Sequence, residues 1–285
     1  MKTKVESRNR DKFLTNLKRD VLSFYQDKNL NNDIETNQVI SFLKENPISV
    51  FPYEFSKKYK KGDINVYLDQ SIGLKYVVHE NKRLYFKRSM STIGIKSLYQ
   101  GLQLDQDPQS PHLYLTESFK LTSKDVIADI GSAEGNFTLS NIEKVSKAYL
   151  FESDDEWIEA LEATFRPWKE KVNIINKYVT DRDSDETISM NTFYNSNPDI
   201  SFFKVDIEGE EQIFLNACAP LFKEKNNFKI AICTYHKQND CLDFTGQLSQ
   251  MGFQVEHSNG FMLFVFDNDI KEPYLRRGLI RAQKN

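Results

Sequence analysis

Cysteine is scarce. Cys218, Cys233 and Cys241 are the only three in 285 residues. A low, odd count argues against a disulfide framework and fits a reducing compartment, so a cytoplasmic location is expected. Long apolar runs are missing too. No stretch approaches the ~18 residues of a membrane span. The start, MKTKVESRNRDKFL, carries charge but no apolar core of signal-peptide length. Neither sign of charge dominates: 38 basic side chains stand against 41 acidic ones, a net −3. That balance disfavours a nucleic-acid binder of the histone kind, though not a local basic patch. There is no internal repeat, no low-complexity tract and no phosphate-loop Gly-Lys-Ser/Thr. What is present is 39% hydrophobic and 28% charged residues, enough for a packed core. At ~150 residues per domain the length suits one large or two ordinary domains.

The near-neutral total hides an uneven spread. Residues 1–110 hold 19 basic and 13 acidic side chains, and residues 111–285 hold 19 and 28. The first part can steer an anionic substrate, or its charges can simply coat solvated helices. Its densest cluster, Lys57, Lys58, Lys60 and Lys61, reads as a solvated loop beside Gly62.

Periodicity divides the chain in the same place. Apolar residues at helical spacing predict helices over 11–28 and 34–45, joined by an Asn-rich turn at 29–33. Residues 64–68 read as extended, 74–79 and 83–87 as a hairpin, and 92–102 as a helix. The polar stretch 104–111, with two prolines, is the expected boundary. From Asp125 strands and helices alternate. Strands are expected at 126–130, 148–152, 172–179, 201–206 and 228–234, with helices near 135–146, 155–166, 209–217 and 239–250. The final strands, 252–256 and 262–266, lie too close for a crossover helix and should be antiparallel. This pattern implies a doubly wound, mostly parallel α/β sheet with an antiparallel last strand, preceded by a smaller α+β part.

Ligands of open α/β sheets sit at the carboxyl ends of the strands. The first strand ends in the turn Asp129-Ile130-Gly131-Ser132-Ala133-Glu134-Gly135. Its Gly-x-x-x-Gly spacing lacks the dinucleotide fingerprint Gly-x-Gly-x-x-Gly. Carboxylates at Asp129 and Glu134 suit a cation and repel a pyrophosphate. The alternative is an ordinary turn with glycine at tight positions. The second strand ends at Glu152, where a carboxylate can accept hydrogen bonds from ribose hydroxyls or begin the next helix.

These residues resemble the class I S-adenosylmethionine-dependent methyltransferases. ADIGSAEGNF is similar to their first motif and Glu152 to their second-strand acid. Within the class, the segment FFKVDIEGEE at 202–211, with QDPQSPHLY at 106–114, TYHKQND at 234–240 and YLRRGLIRAQK near the end, resembles the FkbM family. The likeness covers 106–285 well and the helical beginning weakly. It implies a seven-stranded Rossmann-like sheet and S-adenosylmethionine as cofactor. Asp129 would approach its methionine end, directly or through water, with Gly131 making room, and Ser132, Glu134 and Gly135 would also bind the cofactor. Glu152 would hold the ribose and Asp181 would lie near the adenine. Glu134 departs from the Asn many members carry, and would help position the donor's amino group or point to solvent.

Methyl transfer to a hydroxyl needs a base. Asp206 ends the fourth strand, Glu208 follows two residues later, and His236 follows the fifth. The three are expected to converge as catalytic groups, His236 accepting the proton. The rival is a divalent metal on Asp206, Glu208 and His236. His112 would reach over the pocket or fix the joint between the parts. Trp157, Phe165 and Trp168 read as packing, and the Asn136-Phe137-Thr138 sequon is discounted. The expected function is an O-methyltransferase acting on a small-molecule or glycan hydroxyl, such as a sugar of a bacterial surface polysaccharide, anionic or carrier-linked. No nucleic acid partner is expected. Residues 111–285 would be catalytic, and residues 1–110 a cap for substrate selection or a homodimer contact. The alternatives are a Rossmann-type NAD-dependent oxidoreductase and a catalytically silent glycan-assembly partner.

Overall fold

The computed structural model describes residues 2–27 and 33–285. The first helix, α1 (Lys2–Asp27), begins earlier than its apolar periodicity suggests. Of the expected turn at 29–33, residues 29–32 lie outside the described residues. Asp33 caps α2 (Ile34–Glu45) by accepting the N–H of Thr36. A three-stranded antiparallel sheet follows, formed by β1 (Tyr67–Asp69), β2 (Leu74–His79) and β3 (Lys82–Tyr85). Glu80 and Asn81, both at positive φ, make the two-residue turn of its hairpin. Next comes α3 (Thr92–Asp105), which runs three residues further than expected and carries Asp105 at its end.

The rest builds the main sheet. Its elements are β4 (Val126–Ile130), α4 (Asn136–Asn141), β5 (Lys147–Glu152), α5 (Asp155–Phe165) and β6 (Val172–Asn176). Then come β7 (Tyr178–Thr180), β8 (Thr187–Ser189), α6 (Met190–Ser196), β9 (Phe202–Val205) and α7 (Glu211–Glu224). The chain closes with β10 (Phe228–Cys233), α8 (Asp240–Gln250), β11 (Gln254–His257) and β12 (Leu279–Lys284). The seven-stranded order is β11-β12-β10-β9-β4-β5-β6, with β12 antiparallel to both neighbours and β4, β5, β6, β9 and β10 mutually parallel. This is the expected Rossmann-like architecture.

The sheet is buried on both faces, so its strands read as continuous apolar runs. Val126, Ala128 and Ile130 of β4 pack with Phe203, Phe214 and Phe222 on one side. Ile127 turns the other way, towards Phe137, Leu161 and Phe202. Phe165 is buried there too, and Trp157 and Trp168 pack against that cluster, as expected.

Two strand expectations need correction. The run 172–179 is not one strand. It breaks after Asn176, and 178–180 pair in parallel with β8 in a separate two-stranded sheet. The closing strand is Leu279–Lys284 rather than 262–266. Residues 262–266 are apolar for another reason: Leu263 and Val265 pack with Leu275 against Leu17 and Val21 of α1 and Val39, Ile40 and Leu43 of α2. Residues 258–278 thus form a strap that leaves the sheet, meets the amino-terminal helices and returns as β12. Glu35 fastens it, accepting the Gly260 N–H at 2.6 Å and pairing with Arg277 at 2.6 Å.

Candidate active site

The register of the sheet explains how the polar centre arises. Asp129 of β4 and Lys204 of β9 are direct cross-strand partners, so their side chains leave the same face side by side. Lys204 Nζ lies 3.1 Å from Asp129 Oδ1 and donates to the Gly131 carbonyl at 2.6 Å. Thr138 of α4 donates to Asp129 Oδ2 at 2.7 Å. Asp129 has no solvent exposure, and these contacts hold its carboxylate beneath the turn. Burial works against the charge on Lys204, but Asp129 and Asp206 outweigh it and its pKa is raised.

The two glycines are required by packing. At Gly131 (φ +70°) a Cβ would stand 2.1 Å from the Asp206 carbonyl oxygen. At Gly135 (φ +78°) it would meet Leu161 and Phe165 at 2.7 and 2.8 Å. The room at Gly131 is therefore filled by the end of β9, which corrects the expectation that it opens space for a ligand. The helix after the turn is also shorter than expected, only Asn136–Asn141.

Glu152 does arrive beside the turn. Its Oε2 accepts the Ala133 N–H at 2.9 Å, and its Oε1 accepts those of Ser153 and Asp154 at 2.8 and 3.0 Å. Three of about four acceptor positions are taken, which leaves capacity for one further hydroxyl. Ser132 is buried, its hydroxyl within 3.4 Å of the Phe151 carbonyl. Asp181 is not brought to this place. It follows β7 rather than β6, is exposed, and contacts Arg182 at 3.4 Å.

Asp206 is the hub at the end of β9. Tyr114 donates to its Oδ2 at 2.9 Å and Tyr235 to its Oδ1 at 3.3 Å. His112 Nε2 lies 3.6 Å from Oδ2 and 3.4 Å from the Cys233 sulfur. Burial opposes the charge on Asp206, but His112, Lys204 and His236 overcome it and hold the carboxyl far below its usual range. Burial raises the Cys233 thiol well above its ordinary value, so it is no thiolate nucleophile.

His236 sits where expected, with Nε2 3.8 Å from Asp206 Oδ1. Glu208 does not join them. It is exposed at φ 53°, on the outside of the turn that Gly209 completes. Its place is taken by Glu211, the first residue of α7, which is fully buried. Glu211 Oε1 lies 3.0 Å from His236 Nδ1 and accepts the N–H groups of Ile207 (2.9 Å) and Gly209 (3.4 Å). Burial lowers the His236 pKa, but Glu211, Asp206 and Asp240 outweigh it and the net shift is upward. Phe264 of the strap packs edge-on against the rings of Tyr235 and His236, and Arg276 donates to both their carbonyls.

Two acids complete the centre. Glu134 is buried, and its only hydrogen-bonding partner among the described residues is its own N–H. Burial pushes its carboxyl up to about 7, Lys204 opposing and Asp105 and Asp129 adding. Asp105, at the end of α3, makes no hydrogen bond or ion pair among the described residues. Burial pushes it up to about 6, with His112 opposing and Asp206 adding.

Carboxylates thus outnumber cations here. Asp105, Asp129, Glu134, Asp206 and Glu211 face Lys204 and two histidines. Among the described residues, the buried side-chain atoms without a hydrogen-bond partner are His112 Nδ1, Asp129 Oδ1, Glu211 Oε2 and His236 Nδ1, and all four belong to this cluster. Such atoms mark a place built for a ligand or water. Asp206, Glu211 and His236 bring one donor atom each within 4.8 Å of one another, as do His112, Asp206 and Cys233. The rival metal set, Asp206, Glu208 and His236, does not form, because Glu208 is exposed on the outside of the turn.

Sequence reasoning missed Lys204, Tyr114, Tyr235, Glu211 and Asp105. A lysine inside the apolar run Phe202-Phe203-Lys204-Val205 was a readable signal, since a buried lysine needs a partner. Asp105 gave none, because only the length of α3 carries it to the centre.

No family model matches the chain, and no curated protein matches it. Among solved structures it is similar to the methyltransferase FkbM of Methylobacillus flagellatus KT, at 15% identity and a TM-score of 0.45, over 67% of this chain and 53% of that one. This chain therefore spans about half the length of that protein. It is also similar to precorrin-6y C5,15-methyltransferase of Geobacter metallireducens GS-15, at 12% identity and a TM-score of 0.41, over 58% of this chain and 83% of that one. A third is TrmK of M. capricolum in complex with S-adenosyl-homocysteine, its natural cofactor product, at 12% identity and a TM-score of 0.37, over 58% and 64%.

Proposed function

We propose that this chain is an S-adenosylmethionine-dependent methyltransferase acting on a hydroxyl group. The observation that carries the reading is the surplus of buried and half-buried carboxylates where the parallel strands β4 and β9 end. A cation in that place would restore the balance, and a sulfonium with an α-amino group is such a ligand. Glu134 and Asp105, and the spare acceptor position on Glu152, fit its amino group and its ribose. The cofactor supplies a methyl group already activated by positive sulfur.

The protein's own task is to orient the acceptor and receive its proton. Asp206, kept ionised and held by two tyrosine hydroxyls, suits orientation. His236 beside it suits proton acceptance. Residues 1–110 would cap the acceptor side, Asp105 being their contribution to the centre. A sugar hydroxyl of a surface glycan or a glycosylated metabolite is the acceptor class this reading favours.

Calorimetric titration with S-adenosylhomocysteine, in parallel with NAD, tests the proposal. Wild type should bind the former. Glu152→Ala should bind it about 10–100-fold more weakly, the worth of a charge-assisted hydrogen bond and the loosened turn. A wild type that takes up NAD and not S-adenosylhomocysteine would overturn the reading in favour of an oxidoreductase.

A further inference from the structure

The proton acceptor needs a defined orientation. A neutral imidazole carries one proton, and the other nitrogen is the basic atom. Which one is basic depends on what the ring is held against. Three features bear on His236. Glu211 Oε1 lies 3.0 Å from Nδ1, while Nε2 faces Asp206. Glu211 is itself fixed, because the N–H groups of Ile207 and Gly209 hold its Oε1 at the start of α7. The ring is clamped, with Tyr235 lying against one side at 4.1 Å between centroids, Phe264 edge-on at 5.4 Å, and Arg276 gripping the His236 carbonyl.

We infer that Glu211 is the positioning residue of this site: its carboxylate takes the Nδ1 edge of His236 and leaves Nε2, turned to Asp206, as the proton-accepting atom. The inference rests on the reading of His236 as the base. The 3.0 Å contact lacks the alignment of a hydrogen bond, and Nδ1 stays unpartnered. It is therefore a close approach that a slight shift within the clamp converts into an Nδ1–H donation by the neutral ring. During transfer the acceptor O–H proton would move to Nε2 and its oxygen would keep the electron pair for the new C–O bond, while the pair of the broken S–CH3 bond would stay on sulfur, leaving S-adenosylhomocysteine. The imidazolium so formed lies between Glu211 and Asp206, and its proton leaves to water. Glu211 is also the residue that closes the Asp-Ile-Glu-Gly turn, so one carboxylate shapes the turn bearing Asp206 and aligns the base beside it.

Nitrogen-15 NMR of histidine-labelled full-length protein tests this. It needs neither donor nor acceptor, so its outcome is separable from that of the cofactor titration. Of the four histidines, His79, His112 and His257 are assigned by single Gln variants. At high pH the neutral His236 ring should be mostly the Nδ1–H tautomer, the minor form of a free imidazole. Glu211→Gln keeps an oxygen for the Ile207 and Gly209 N–H groups but removes the charge, and should lose that preference. Glu211→Asp, which retains the charge, should recover part of it. If Glu211→Gln proves unfolded, the wild-type spectrum decides alone. A predominantly Nε2–H ring in the wild type, or an unchanged tautomer in folded Glu211→Gln, would overturn the proposal. So would Mn2+ broadening the His236 signals of the wild type but not those of Glu211→Gln, since the pair would then be a cation site.

Discussion

Replacing Glu134 by glutamine should make the ligand-free protein more stable, and only at neutral and alkaline pH. Glu134 is 5% exposed, and its carboxyl moves from 4.5 to about 7 on folding. For an acid raised in this way, its contribution is fully present below pH 4.5 and lost as pH rises through about 7. Above that, keeping it ionised in the folded state costs roughly 3 kcal/mol. Glutamine bears no such cost, so Glu134→Gln should gain up to about 3 kcal/mol at pH 8. In a domain of this size that is roughly 6–12 °C in melting temperature. At pH 5 the folded wild type is already mostly protonated, and the two proteins should agree within about 1 kcal/mol. Part of the gain would come through Asp105, whose charge Glu134 also repels. The same change should weaken S-adenosylhomocysteine about 10–100-fold, since a charged partner for its amino group is gone. Thermal melts at pH 5 and pH 8, with and without the ligand, measure all of this. A variant that melts with the wild type at pH 8, or gains equally at both pH values, would refute the charge argument.

Lys204→Met leaves Asp129 buried and uncompensated, so it should lose about 3–5 kcal/mol by chemical denaturation; a loss below about 1 kcal/mol would show that the pair is not the brace described. Gly131→Ala forces a Cβ against the Asp206 carbonyl at positive φ and should cost about 3 kcal/mol or more in the same assay. Gly101→Ala, inside α3 with nothing near its Cβ, should instead stabilise by about 0.5–1 kcal/mol. Equal effects of the two glycine changes would contradict the packing at Gly131.

Much of this fold is written in local pattern. The parallel strands β4, β5, β9 and β10 are short apolar runs because both their faces are covered, and helix caps at Asp33, Ser91 and Asp154 stand where propensity puts them. The closing strand was illegible for a physical reason. β12 carries Arg281, which donates to the Leu113 and Tyr114 carbonyls, so its alternation does not look apolar. The strap at 262–266 does look like a strand, because it buries Leu263 and Val265 against helices. In the site, Asp206 and His236 could be placed from strand order alone. Glu208 could not, because one residue at positive φ decides which acid of Asp-Ile-Glu-Gly-Glu-Glu turns inward. Asp105 and Tyr114 reach the centre from the region of the apparent boundary, where no periodicity links them to it.

The strap also governs where this chain tolerates being cut. The change of charge near residue 110 looks like an invitation to divide it. A fragment beginning there would keep Leu263, Val265 and Leu275 but lose the α1 and α2 side chains that cover them. Arg277 would lose Glu35, and Phe261 would lose the Tyr53 hydroxyl that accepts its N–H. The same length of chain carries Phe264 and Arg276, which hold Tyr235 and His236. The amino-terminal helices thus buttress Tyr235 and His236 through the strap, although neither helix comes near them in sequence.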